Sequence, residues 1–342
     1  MMRPTRALAA VLLAGVVALA GACSSSDSKH SSGSGSGSKA TDKVSYVTAF
    51  GAVGRDAFIW VAKEKGYFAD AGIDIDIQKG AAANANLEAL KSGHAQFASL
   101  DFTGAELQAG LGKYTDWRAV AALHQQTLVS IMTTNDTGIT RPTDLKGKTV
   151  GMATGSVNQL LFPAYAKLAG LDPGTVTIKS VPTTALNTLM AQRKVDALSA
   201  FLLSQKALAT VSKKQVVVMP YSQYLSDLFG NAIITTPAFI ATKRDLVQRF
   251  VNAALKGLQY TIDHPDEAAT ILNQAEPSSA IPAAVGEITA MKPYVAPANG
   301  APIGHFDQAR VERGIVALQG AGLMPAGLTP DKVVDFSFIG AS

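Results

Sequence analysis

Short apolar runs alternate with amphipathic stretches along most of the chain, and glycine punctuates each pair. Residues 44–50 read as a strand and 56–65 as a helix closed by Gly66. Ile73-Asp74-Ile75-Asp76-Ile77 alternates strictly, as a strand buried on one face does. The pattern then predicts a helix over 84–92 ending at Gly93, a strand over 95–100 and a helix over 103–111 ending at Gly112. Strands follow over 118–123 and 128–133. Gly66, Gly72 and Gly93 fit left-handed helix caps. This βαβα rhythm predicts an α/β protein whose mainly parallel sheet carries helices on both faces.

The texture turns polar over 135–148, and then the rhythm restarts. Strands are predicted at 149–153, 176–180, 195–200 and 216–219, with helices at 157–169, 185–192 and 205–212 between them. A strand over 231–236 returns from this second unit. Residues 243–263 form an amphipathic helix, with Val247, Phe250, Val251, Ala254, Leu258 and Ile262 on one stripe. Pro265 stops it. Lobe one is therefore read as 43–136 with 231–342, and lobe two as 137–230. Two crossings, near 133–135 and 231–236, make the hinge. No internal sequence repeat is visible.

Open α/β sheets bind ligands beyond the carboxyl ends of their strands. Two facing lobes put that site in the cleft between them, closed by hinge motion. In lobe one the candidates are Phe50, Arg55, Asp56, Gly80, Asp101, Phe102 and Thr103. In lobe two Thr154, Gly155 and Ser156 precede one helix, and Thr183 and Thr184 precede another. Both turns offer backbone N–H groups and hydroxyls to an anionic or acceptor-rich ligand, although Ser156, Thr183 and Thr184 read equally as plain N-caps. Phe50, Phe102, Phe201 and Tyr221 or Tyr224 offer faces for a flat ring, or ordinary core packing. Arg55 with Asp56 would read a charged group and a donor, or form a solvated first turn. Gln126 lies near the first crossing and Asn231 at the second.

The N-terminus adds a compartment. Arg3 and Arg6 precede an apolar run over 7–19, small residues fill 20–22, and the chain's only cysteine is Cys23. The run is short of the ~20 residues a spanning helix needs, and the layout is that of a secretory leader. Residues 24–42, rich in Ser and Gly, form a flexible tether. The formal net charge of +4 falls to +2 once Arg3 and Arg6 leave with the leader. So small a charge, with no basic run among aromatics, argues against nucleic acid as a partner.

The leader resembles a bacterial lipoprotein signal, with Leu19 four residues before Cys23 where three is usual. The resemblance implies lipid on Cys23 and a body held at the outer face of the cell membrane. A second resemblance covers residues 44–266. Ala62-Lys63-Glu64-Lys65-Gly66-Tyr67-Phe68 with Gly72-Ile73-Asp74-Ile75 is similar to the A-x-E-K-G-Y-F … G-L-D-V signature of one solute-binding family. Its members serve ABC importers of aliphatic sulfonates, nitrate and thiamine-pyrimidine precursors. Ala89-Leu90-Lys91-Ser92-Gly93, Asp144-Leu145-Lys146-Gly147-Lys148 and Lys194-Val195-Asp196-Ala197 follow in that family's order.

This resemblance implies a two-lobed periplasmic-binding-protein-like fold of type II. Its partners would be a small-molecule ligand and the permease and ATPase subunits, with no cofactor and a monomeric body. A pyrimidine precursor or related heteroaromatic leads, with a sulfonate or other organic anion next. The pyrimidine-binding members carry Trp and Asn before the first helix and a His near its start. Phe50, Val53 and Asp56 stand there in this chain, and Arg55 brings an acidic ligand into competition.

Two rival classes differ. A tethered sensor would bind the same ligand and signal instead of delivering it. The enzymes of thiamine-pyrimidine synthesis that share this fold use a cysteine-rich motif, and the lone Cys23 cannot supply it. The five histidines are scattered without metal-ligand spacing, no G-x-S-x-G elbow occurs, and His94 and His124 read as structural or surface groups.

Overall fold

The computed structural model describes residues 41–81 and 83–339. The leader and Cys23 lie outside the described residues. Asp42, assigned to the tether, instead opens the first strand, and its carboxylate accepts from Arg249 Nη2 at 2.8 Å.

Two five-stranded sheets form the body. The first holds β1 (Asp42–Val47), β2 (Ile73–Gln78), β3 (Phe97–Asp101), β4 (Arg118–Ala122) and β10 (Asn231–Thr235), in the order β2-β1-β3-β10-β4. The second holds β5 (Val129–Thr134), β6 (Thr149–Ala153), β7 (Thr177–Val181), β8 (Ala197–Phe201) and β9 (Val216–Pro220), in the order β7-β6-β8-β5-β9. Each sheet is parallel except for one strand in fourth position. That strand, β10 or β5, is the one flanking a crossing, and it runs antiparallel to both neighbours. The two lobes thus share one topology without a shared sequence pattern.

The first crossing lies between Ala122 and Val129, ahead of the 133–135 read from the sequence. The cause is β5. All six of its residues are buried, so its pattern carries no face to assign it to a sheet. Register assigns it, pairing Val129 with Phe201 and Thr134 with Val216. The polar stretch 135–148 is then only the connection from β5 to β6.

Helices cover both sheets. In lobe one these include α1 (Ala57–Glu64), α2 (Tyr67–Asp70), α3 (Ala83–Lys91) and α4 (Phe102–Gly110). Lobe two carries α5 (Val157–Leu168), α6 (Leu186–Ala191) and α7 (Gln205–Ser212). Four more follow β10: α8 (Pro237–Asp263), α9 (Pro265–Ala275), α10 (Ile281–Met291) and α11 (Gln308–Gly320). Helix α8 starts earlier than the stripe predicts, but its backbone breaks at Lys243 (φ −137°, ψ 34°), where the predicted segment begins. The stripe packs as its period requires: Phe250 stacks on Phe97 with centroids 3.8 Å apart and meets Phe68 and Tyr46. Among the described residues no helix is long and apolar enough to cross a membrane.

The two crossings are zipped together. Leu123 N and His124 N both donate to Asn231 O at 2.8 and 3.1 Å. Gly230 N returns a bond to His124 O at 3.1 Å, and Thr127 N donates to Leu228 O at 2.8 Å. Helix α11 clamps this ribbon: Arg310 Nη2 donates to the carbonyls of Gln125 and Ser226, with its guanidinium 4.1 Å from the Phe229 ring centroid.

Candidate functional site

The carboxyl ends of both sheets meet the crossings at one level, since Asp101 pairs with Asn231 and Val129 with Phe201. The turn after β1 is built into this edge. Gly51 N donates to Gly80 O at 2.7 Å, Gly80 N to Thr48 Oγ1 at 3.0 Å, and Asn86 Nδ2 to the carbonyls of Thr48 and Ser99 at 2.8 Å each. A Cβ at Gly80 would collide with the Thr48 carbonyl, so this glycine serves close backbone approach.

The turn ends in a 3-10 helix, Gly54–Asp56, that presents Arg55 and Asp56. Asp56 is 1% exposed. Its Oδ1 accepts from Ala49 N at 3.0 Å, while Oδ2 has no hydrogen-bond partner and lies 3.6 Å from Arg55 Nε. Burial pushes its carboxyl up to about 6 against the opposing pull of Arg55. Arg55 Nε is also buried and unpartnered, and the guanidinium lies 5.4 Å from the Phe201 ring centroid. Glu287 of α10 accepts from Arg55 N at 3.3 Å, and burial raises its carboxyl while Arg55 lowers it.

Asp101 ends β3 and caps α4, its Oδ1 accepting from Gly104 N at 2.8 Å. Its Oδ2 is buried and unpartnered, and burial pushes this carboxyl up to about 6, with Arg55 again opposing. Glu106, one turn along α4, is buried with a free Oε1, and burial together with Asp101 raises its carboxyl far above the usual range. His124, in the first crossing, is buried; its Nδ1 accepts from Asn231 N at 3.2 Å, and Nε2 has no partner. Burial, then the charge of Arg55, drives its imidazole down to about 3. It is therefore neutral, and the accepting Nδ1 places the proton on Nε2.

Arg55 Nε and His124 Nε2 are thus buried donors, and the Oδ2 atoms of Asp56 and Asp101 are buried acceptors. Each such group left unmet costs about 1–3 kcal/mol. One guanidinium acts electrostatically on the other three residues. Together they form a polar junction between the sheets, suited to a ligand that brings both N–H donors and acceptors.

The other predicted residues scatter. Phe50 lies beside the junction and is 45% exposed. Phe201 is half-buried beneath Arg55. Phe102 offers no free face: it packs edge-on against Trp117 and Phe229 and tilts onto Phe306. Thr103 is buried, its hydroxyl donating to Phe229 O at 2.8 Å. Tyr221 is buried and stacks on Tyr165 at 4.0 Å, while Tyr224 meets Tyr165 edge-on and stays exposed. Gln126 is half-buried in the first crossing, and Asn231 serves the hinge through its backbone.

The turn of Thr154, Gly155 and Ser156 is no open anion cradle. Thr154 N donates to Val181 O, Gly155 N to Gln159 Oε1 and Ser156 N to Ala153 O, while Ser156 Oγ caps α5. Thr183 and Thr184 sit exposed in a single 3-10 turn. His124, read from the sequence as a structural or surface group, stands at this junction, and Glu287 is an addition for which the local sequence gives no signal. Among the described residues no group of His, Cys, Asp and Glu could hold a metal ion.

The model of the NMT1/THI5 like family matches residues 55–268. The riboflavin-binding protein RibY of Chloroflexus aurantiacus is 26% identical over 232 residues, a match taking in 64% of this chain and 62% of that protein, under two thirds of its length. The formylaminopyrimidine-binding protein of Halalkalibacterium halodurans is 24% identical over 222 residues, 64% of this chain and 67% of that one. Among solved structures, the periplasmic aliphatic sulphonate binding protein SsuA from Escherichia coli matches with a TM-score of 0.68 at 15% identity, over 86% of this chain and 92% of that one. That last likeness is one of fold.

Proposed function

The chain belongs to the NMT1/THI5-like family, and we propose that it is the extracytoplasmic solute-binding component of an ABC importer. It captures a small heteroaromatic solute between its lobes and delivers it, unchanged, to a membrane permease. The observation that carries this reading is the set of unpartnered buried atoms on Arg55, Asp56, Asp101 and His124 where the two sheets meet. Buried polar groups without partners are stabilised by a ligand that supplies them.

Charge selects the class. One guanidinium faces the carboxyls of Asp56, Asp101 and Glu287. A sulfonate or carboxylate entering here would meet more negative than positive charge. A flat heterocycle carrying N–H donors and ring acceptors matches instead, with the exposed Phe50 ring as a stacking face. The two relatives named for riboflavin and formylaminopyrimidine support that class. Closure follows only insofar as the solute binds the closed lobes more tightly than the open ones. Lipid on Cys23 would hold the body at the outer face of the cell membrane, and a Cys23→Ser chain would leave the membrane fraction.

The test is a thermal-shift and calorimetry panel of riboflavin, formylaminopyrimidine, alkanesulfonates and nitrate. Stabilisation by a heteroaromatic without conversion to product fits the proposal. Stabilisation by sulfonates alone, or turnover of a bound solute, overturns it.

A further inference from the structure

We infer that His124 is a ligand-reading donor fixed in the hinge, its Nε2–H meeting a carbonyl oxygen or an unprotonated ring nitrogen of the solute. This rests on the solute-binding reading of the junction and goes beyond it by naming the atom that the hinge recognises.

The orientation is over-determined. The backbone N–H and C=O of His124 bond to Asn231 O and Gly230 N, and its Nδ1 takes the Asn231 N–H at 3.2 Å. Two backbone bonds hold the residue on the second crossing, and the Nδ1 bond sets the ring. Gly230 makes room for it: a Cβ there would stand 2.8 Å from His124 Cβ and 2.8 Å from Gln126 O. The same Nδ1 bond fixes the tautomer, leaving one buried N–H on Nε2 with no partner in the protein.

Position gives this donor a distinct role. Hinge residues absorb the change in φ/ψ, but they lie at the axis and so are displaced least when the lobes swing. His124 therefore holds its place whether the lobes are open or closed. Arg55, by contrast, reaches from lobe one to the Phe201 ring of lobe two, 5.4 Å from its centroid, so its place depends on how the lobes stand. The carboxylates Asp56 and Asp101 lie within reach of the same guanidinium, and their free Oδ2 atoms want N–H groups. The edge read here is thus an acceptor accompanied by donors. A solute lacking the acceptor leaves a buried donor unmet and is rejected on that ground.

The two nitrogens can be tested apart. In His124→Asn the amide oxygen takes the place of Nδ1 and keeps the bond to Asn231, but no donor stands at Nε2. In His124→Gln the amide nitrogen stands near Nε2. With riboflavin and formylaminopyrimidine as calorimetric probes, His124→Asn is expected to melt near the wild type and to bind roughly 10- to 100-fold more weakly. His124→Gln should recover part of that loss. Nitrogen NMR of the wild type, independent of any variant, should find the proton on Nε2 and move that resonance, not Nδ1, on adding the bound probe. Wild-type binding unchanged in His124→Asn, or an Nε2 resonance indifferent to a bound probe, overturns this inference alone. Failure of both probes to bind the wild type overturns the solute class and the inference together.

Discussion

Arg55, on the turn after the first strand of lobe one, lies with its guanidinium carbon 5.4 Å from the ring centroid of Phe201, the last residue of β8 in lobe two. The contact crosses from one sheet to the other. It places the site's one strong cation where it reaches Asp56, Asp101 and His124 at once. One side chain thereby reaches the second sheet and the candidate polar groups of the first.

Replacing that cation should move the pH dependence of binding. Burial raises both carboxyls to about 6 even with Arg55 pulling them down. In Arg55→Gln both should ionise later, and the acid limb of formylaminopyrimidine affinity should move upward from near pH 6. Calorimetry between pH 5 and 8 reads the upward shift; an unmoved limb would detach Arg55 from the carboxyls.

The same carboxyls shape stability without ligand. Their folded-state pKa is raised above 3.8, so their contribution is fully present below about pH 4 and is lost as pH rises through about 6. Asp101→Asn keeps the oxygen that caps α4 and removes the charge. It should raise the melting temperature at pH 8 by the equivalent of up to roughly 3 kcal/mol, with little change at pH 4. Probe affinity should fall in the same variant. A variant less stable than the wild type at pH 8 would contradict the burial cost assigned to this group.

Phe250 joins the sheet to the long helix by stacking on Phe97 and touching Phe68 and Tyr46. Phe250→Ala should cost about 3–5 kcal/mol in urea unfolding. A loss below 1 kcal/mol would mean that the aromatic cluster re-forms without it.

Much of this was legible in the sequence for physical reasons. Glycine caps and two clear periodicities located the strands and helices, and the rule that sites lie beyond strand ends made Arg55, Asp56 and Asp101 candidates, which the fold brings to one junction. What failed was whatever depends on a partner far along the chain. β5 is buried on every side, so only its pairing with β8 and β9 assigns its sheet. His124 reads as any lone histidine until Asn231, 107 positions later, takes its Nδ1. Glu287 lies 232 positions from the Arg55 amide it accepts. The Thr154–Ser156 turn misled in the opposite direction, because Gln159 folds back and fills the Gly155 amide.

Phe102 and Tyr221 carry the same lesson for aromatic residues. Both follow a strand end, where a stacking face is plausible, yet both are enclosed by other rings. Exposure separates them from Phe50, and exposure is a tertiary property. Phe50→Ala should weaken riboflavin binding about tenfold while leaving the melting temperature of the free protein nearly unchanged. Equal affinity in that variant would remove the Phe50 ring from the site.

The central claim is that solute is held between the sheets by the buried polar atoms of Asp56, Asp101, Arg55 and His124. A crystal structure of the protein grown with formylaminopyrimidine or riboflavin tests it most directly. The account predicts the heterocycle at the sheet junction, with N–H groups on the two Oδ2 atoms and an acceptor on His124 Nε2. Density for the solute elsewhere on the surface, with these four atoms still unmet, would contradict it.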